Sequence, residues 1–207
     1  MPEDMSMARR LLVRSYGAEV VLTPAQEGMA GAVEHARRIT NETPGAFMPR
    51  QFDNVANPDI HEQTTGDEIW RATRGELSAC VIGVGTGGTL TGVARALKKH
   101  SAAVRIVAAE PKASAVLSGG EPGPHGIQGL GAGFVPKVLD RGLIDEVVTV
   151  TDLAADRMQK RLAREEGILA GPSSGANVHA AVELAKRMRR GERIVTLLPD
   201  TGERYLV

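Results

Sequence analysis

The chain has 207 residues, in which 25 lysines and arginines balance 25 aspartates and glutamates. A formal charge of zero gives no electrostatic reason to expect nucleic acid or an anionic membrane as partner. The longest apolar runs, 78–84 and 194–198, are too short to cross a bilayer. A single cysteine, Cys80, excludes an internal disulfide framework. The five histidines, His35, His61, His100, His125 and His179, share no ligand spacing with it or with one another, so no metal site is expected. Residues 1–10 read as a capped helix start rather than a leader. Together these features predict a soluble, cytoplasmic protein.

Ser6 can cap a first helix that carries Ala8, Leu11 and Leu12 and stops at Gly17. Residues 19–22 form a short predicted strand closed by Thr23-Pro24. A second helix places Met29, Ala32, Val33, Ala36 and Ile39 on one face. Residues 41–45 are a loop and 46–48 a short strand, and Asn57-Pro58 starts a third helix that runs to about Thr73. Residues 77–83 are apolar without alternation, as in a strand buried on both faces. A helix over 89–99 and a second buried strand over 104–109 complete a βαβ unit, whose crossover is expected to be right-handed.

Residues 118–134 hold seven glycines and two prolines in seventeen positions, too long and too glycine-rich for a simple connection. Ile127-Gln128-Gly129-Leu130-Gly131-Ala132-Gly133-Phe134 mixes apolar anchors with glycines, as in an ordered loop lining a site. A strand follows at 146–150, then a helix capped by Asp152 with Ala154, Met158 and Leu162 inward. A turn at 171–175, a helix over 176–190 ending at Gly191 and a strand over 193–198 close the chain. The predicted fold class is α/β, with a mainly parallel sheet and flanking helices. Six aromatic residues against 24 glycines imply a core of alanine, valine, leucine and isoleucine, with several close backbone approaches.

Gly83-Val84-Gly85-Thr86-Gly87-Gly88-Thr89 joins a buried strand to a helix. Small residues let backbone N–H groups come close, the hydroxyls of Thr86 and Thr89 add donors, and the helix start supplies partial positive charge, so a phosphate is expected here. A packing turn is the plainer alternative. The same string satisfies G-x-G-x-x-G at Gly83, Gly85 and Gly88, and Glu110 ends the next strand where a dinucleotide fold places its ribose-binding acid. The mid-chain position and the two threonines favour a compact terminal phosphate instead. No lysine follows the last glycine, so it is not a P-loop.

Gly171-Pro172-Ser173-Ser174-Gly175 also leads into a helix. Its serines read either as helix caps or as hydroxyls shown to a ligand at the sheet edge. The string matches G-x-S-x-G as well, but no histidine follows His179, which argues against a hydrolase triad.

With these residues in view, the chain resembles the cysteine synthase (O-acetylserine sulfhydrylase) family of fold-type II pyridoxal-phosphate enzymes, whose sheet is tryptophan synthase β-subunit-like. The match includes Met1-Pro2-Glu3 with Ser6, Gly17-Ala18-Glu19, Gln51-Phe52 with Asn57-Pro58, and Thr64-Thr65-Gly66 with Glu68-Ile69-Trp70. It continues through 83–89, 119–134, the serine turn, and Pro199-Asp200 with Gly202-Glu203-Arg204-Tyr205. The resemblance implies pyridoxal 5'-phosphate as cofactor, its phosphate held by Gly85, Thr86, Gly87, Gly88 and Thr89. Ser173, with Ser174 as its competitor, would bond the pyridine nitrogen. Gln51 would hold the substrate α-carboxylate, and Gln128, Gly129 and Gly131 would line the substrate mouth.

The implied reaction is β-replacement, in which O-acetylserine loses acetate and sulfide adds to give cysteine. A cystathionine β-synthase or related dehydratase is the catalytic alternative. A non-catalytic homologue that binds the serine acetyltransferase C-terminal tail is the other. The family is usually homodimeric. Two family strings are absent: the serine–valine–lysine–aspartate–arginine segment with the cofactor-binding lysine, and the threonine–serine–glycine–asparagine–threonine–glycine loop for the substrate carboxylate. Lys98, Lys99, Lys112, Lys137, Lys160 and Lys186 match no catalytic position. The resemblance therefore implies a chain truncated at the N-terminus and inactive alone, with 1–48 left from a small mobile domain and 49–207 forming most of the large one.

Overall fold

A computed structural model describes residues 1–205, so the last two residues of the expected large domain lie outside the description. Four strands form one sheet: β1 (Ala79–Gly83), β2 (Arg105–Pro111), β3 (Glu146–Val150) and β4 (Ile194–Thr196). All pairings are parallel, in the order β3-β2-β1-β4. The predicted sheet is therefore present. Seven helices accompany it among the described residues: α1 (Met7–Ser15), α2 (Gly28–Glu42), α3 (Ala56–Gln63), α4 (Thr65–Ala72), α5 (Gly88–His100), α6 (Asp152–Glu165) and α7 (Pro172–Ala185). None is long and apolar enough to cross a membrane.

Successive side chains of a strand point to opposite faces, and the central strands are apolar on both. Cys80, Ile82, Ile106 and Ala108 pack with Leu90, Val93, Ala94 and Leu97 of α5. Ala79, Val81, Val107 and Ala109 pack with Ala155 of α6 and Ala176, Ala180 and Leu184 of α7. This is why the 77–83 run shows no alternation. Cys80 is fully enclosed, and burial pushes its thiol up to about 12.

The helices come close to one another through glycine. A Cβ at Gly92 of α5 would collide with the Pro58 carbonyl oxygen and crowd the Glu62 amide of α3. Likewise, a Cβ at Gly175 of α7 would strike the Ala155 carbonyl of α6.

Several boundaries differ from those expected. Residues 19–22 and 46–48 are not strands; the nearby pairing is a single parallel bridge between Pro2 and Thr23. A strand needs a neighbour that takes a ladder of hydrogen bonds; residues 19–22 meet the chain start only where the Met1 amino group donates to the Val21 carbonyl at 2.7 Å, and 46–48 have no pairing among the described residues. The expected helix over 57–73 divides into α3 and α4 at Thr64, where φ is −123° and ψ −76°. Thr151 caps α6 by accepting from the Ala154 amide at 3.2 Å, and Asp152 is its first residue. The serine turn is itself the first turn of α7, which starts at Pro172 because proline is tolerated there. α7 ends at Ala185 rather than 190, and β4 is shorter than its apolar run.

Ser6 caps α1 as expected, accepting from the Arg9 amide at 3.4 Å. Neither α1 nor α2 buries any residue fully, and neither core cluster contains a residue before Ile69. Leu11 is 57% exposed and Phe47 82%. The chain ends meet where Arg9 Nη2 donates to the Tyr205 hydroxyl at 3.2 Å, which donates to Asp200 Oδ2 at 2.6 Å.

Helix propensity alone would favour Gly92→Ala by about 1 kcal/mol. The close crossing predicts the opposite, a loss of roughly 1–3 kcal/mol from overpacking. Urea denaturation reads the sign, and a stabilised variant would show that α3 and α5 do not approach this closely.

Candidate functional site

The chain runs from β1 outward through β2 to β3, then returns to place β4 on the other side of β1. That reversal makes the carboxyl end of β1 a topological switch point, where open parallel sheets form a crevice. The turn after β1 is the glycine string that leads into α5.

Gly87, at φ 84°, takes the left-handed conformation that turns the chain into the helix. A Cβ at Gly85 would run into the carbonyl oxygen of Gly129, so residue 85 is where the long glycine loop closes on the turn. Among the described residues, the amides of Gly85, Thr86, Gly87 and Thr89 donate to no protein acceptor. Four free donors at the start of a helix make a place for an anion.

Both hydroxyls of the turn are held from α3. Thr86 Oγ1 accepts from Asn57 Nδ2 at 2.9 Å and from the Gly88 amide at 3.3 Å. Thr89 Oγ1 lies 3.1 Å from His61 Nε2, whose Nδ1 is 2.9 Å from Thr65 Oγ1. Partial burial pushes the His61 pKa down by penalising its charged form.

The loop over 118–134 is stitched to this turn. The Gly131 amide donates to the Val84 carbonyl at 3.0 Å, and the Gly131 carbonyl lies 3.0 Å from His125 Nε2. The Gly126 amide donates to Asp152 Oδ2 at 2.7 Å, so the residue expected as a helix cap is an anchor for the loop. Gly129 also faces Ser173, whose Oγ is 3.7 Å from where a Cβ on that glycine would sit. Ser174 Oγ, by contrast, is fully buried without a hydrogen-bond partner.

Of the expected site residues, Gly85, Thr86, Gly87, Gly88, Thr89, Gly129, Gly131 and Ser173 thus come together at one crevice. Gln128 is in the same loop, with Oε1 buried and unpartnered. Gln51 is exposed, and the structure connects it to the turn through its backbone: its carbonyl accepts from Asn57 Nδ2 at 2.8 Å.

Glu110 lines a small cavity beside Gly85 and Gly131, but its carboxylate is not free as a ribose-binding acid's would be. It is 2% exposed, and its carboxylate accepts from the Leu117 amide at 2.8 Å, the Ser118 amide at 2.9 Å and the Ser118 hydroxyl at 2.6 Å. Its oxygens are occupied in holding the start of the long loop, which argues against the dinucleotide reading. Sequence reasoning missed Asn57 and His61 as groups behind the turn. Both lie on α3, and only the i, i+4 spacing hinted that they share a face.

Four of the six lysines pair with carboxylates away from the turn: Lys98 with Asp145, Lys99 with Glu62, Lys160 with Asp156 and Lys186 with Glu183. Lys137 borders a separate surface groove with Asp53, Pro58 and Arg95. Lys112 opens the short turn after β2.

Sheet and crevice together define an open parallel α/β protein with an anion-ready turn at its switch point. The chain belongs to the pyridoxal-phosphate dependent enzyme family, whose model matches residues 1–200. It is 53% identical over 207 residues to a cysteine synthase of Staphylococcus aureus, all of this chain matching 66% of that protein. It superimposes on a cysteine synthase of Entamoeba histolytica with a TM-score of 0.91 at 39% identity, covering 100% of this chain and 61% of that one. The O-acetylserine dependent cystathionine beta-synthase of Helicobacter pylori gives a TM-score of 0.94 at 38% identity, with 100% and 67% covered. The chain thus spans about two-thirds of the length of these relatives. The cofactor of the family is pyridoxal 5'-phosphate.

The lowered His61 pKa predicts a pH dependence of stability. Below about pH 6.5 the unfolded chain takes up a proton that folded His61 resists. Stability should therefore fall as the pH drops through that value, and His61→Gln should remove part of the slope. Thermal midpoints from about pH 7.5 down to 5.5 test this; an unchanged slope in the variant would assign the effect elsewhere.

Proposed function

We propose that these residues form the cofactor-binding body of a pyridoxal-phosphate-dependent cysteine synthase, which replaces the acetate of O-acetylserine by sulfide to give cysteine and acetate. The observation that carries this reading is the cluster of free amides and hydrogen-bonded hydroxyls between β1 and α5, donors suited to a terminal phosphate. The likeness to the Staphylococcus and Entamoeba cysteine synthases supports the reaction class.

When bound, the cofactor supplies an electron-withdrawing ring that eases loss of a β-substituent from an amino acid. The chain's own residues then have separate tasks. Gly85, Thr86, Gly87, Gly88 and Thr89 hold the phosphate, aided by the positive end of α5. Ser173 presents a hydroxyl to the ring nitrogen. A neutral partner leaves that nitrogen largely unprotonated, which favours β-replacement over transamination. The orientation of Ser173 toward Gly129, with Ser174 enclosed, supports choosing it over its neighbour. Gln51 holds the substrate carboxylate, while Gln128, Gly129 and Gly131 line the mouth.

Residues 1–48 are proposed as part of a small mobile domain and 49–207 as most of the large one. The exposed apolar side chains of α1 and of residues 46–48, against Phe52 as the first buried large apolar residue, support that division. The lysine that binds the cofactor covalently and moves the α-proton is placed outside these residues. A homodimer, a cytoplasmic location and entry of a serine acetyltransferase tail at the mouth complete the proposal.

A second reading, cystathionine β-synthesis, is supported by the likeness to the Helicobacter enzyme, as near in fold and identity as the Entamoeba cysteine synthase though less identical than the Staphylococcus one. It differs only in the nucleophile. The test joins these residues to a lysine-bearing upstream segment and offers O-acetylserine with sulfide or homocysteine. Cysteine as the faster product is expected, while the 207-residue chain alone should give none above background. Cystathionine as the main product would select the second reading. A joined protein that binds cofactor, turns over neither nucleophile and captures the acetyltransferase tail would show a non-catalytic homologue.

A further inference from the structure

Asn57 Nδ2 carries two hydrogens, and the structure uses both. One goes to the Gln51 carbonyl at 2.8 Å and the other to Thr86 Oγ1 at 2.9 Å. The orientation of this amide is dictated by chemistry, because a flip would set its oxygen against the Gln51 carbonyl oxygen. The amide also packs against the backbone of Gly88, where any Cβ would overlap it.

The count on Thr86 follows. A hydroxyl has two acceptor sites and one proton. Asn57 Nδ2 and the Gly88 amide fill the acceptor sites. Neither offers a lone pair, so the proton is directed at neither. It finds no acceptor among the described residues, and the adjoining amides of Gly85, Thr86, Gly87 and Thr89 are also free. Thr89 is different, since its partner His61 can donate or accept according to tautomer.

We infer, on the reading of this turn as a phosphate cradle, that Asn57 is a positioning residue that commits the Thr86 hydroxyl to donate to the bound anion. The same amide fastens that donor to the Gln51 turn, so the cofactor phosphate and the substrate end of the crevice share one connection. A shift of the Gln51 backbone reaches the phosphate through a single side chain.

Sulfate binding to the 207-residue chain tests this, because sulfate keeps its double charge down to about pH 3, below the ordinary carboxyl range. Asn57→Asp keeps the shape but removes both hydrogens, so Thr86 turns its proton toward the new carboxylate. Sulfate affinity should fall roughly 10- to 100-fold at about pH 7.5, the loss of one charge-assisted hydrogen bond. It should recover as the pH falls toward about 4 and acid returns a proton to that carboxyl, which a merely structural defect would not do.

Asn57→Ala in a wild-type background should cost about as much as Thr86→Val. In a Thr86→Val background it should cost less than about two-fold more, the signature of two residues acting as one. Wild-type affinity in Asn57→Asp, or equal losses from Asn57→Ala in both backgrounds, would overturn the inference and leave the cradle standing. A wild-type chain that does not bind sulfate would overturn the cradle itself, and the inference with it.

Discussion

Backbone amides without an acceptor are costly to leave unmet, and four of them converge where β1 passes into α5. The surrounding architecture serves to hold that turn. Gly92 lets α3 lie against α5 at backbone distance, and this contact brings Asn57 and His61 within reach of Thr86 and Thr89. A bulkier residue at 92 would lift α3 and withdraw both partners together. From the other side, the loop over 118–134 closes through Gly85, Gly129 and Gly131, and Glu110 and Asp152 grip it near Ser118 and Gly126. The turn is thus gripped by two elements distant in sequence, α3 and the long loop.

Residues 77–83 and 104–109 could be read as strands because both faces of each are largely buried, so apolar character is nearly continuous and hard to confuse with a loop. The short segments at 19–22 and 46–48 carry strand-like residues too. Composition alone does not say whether a neighbour will build a ladder, and here neither segment has one among the described residues. The break at Thr64 was equally hidden, since Thr64-Thr65-Gly66 carries no proline and helical periodicity continues across it. At the serine turn the error was one of category: Pro172 and the two serines are common in turns, yet proline at a first helical position is also a helix start.

The crevice residues were legible where chemistry is local. Glycines and threonines between a buried strand and a helix point to an anion through the backbone itself. Residues acting at a distance were not. Asn57 and His61 gain their importance from the α3–α5 crossing, and Glu110 loses its suggestive role because three donors of its own chain consume it. Such facts belong to tertiary packing and leave no local pattern.

The placement of Cys80 bears on the proposed role in sulfur chemistry. Only a thiolate attacks disulfides or polysulfides, and a thiol held near 12 inside the sheet is almost never ionised at neutral pH. Persulfide formation, glutathionylation and peroxide damage therefore have no foothold on this chain's own sulfur while it stays folded. A protein that handles sulfide and releases a reactive amino-acid thiol would be insulated from both by keeping its one cysteine as a packing residue.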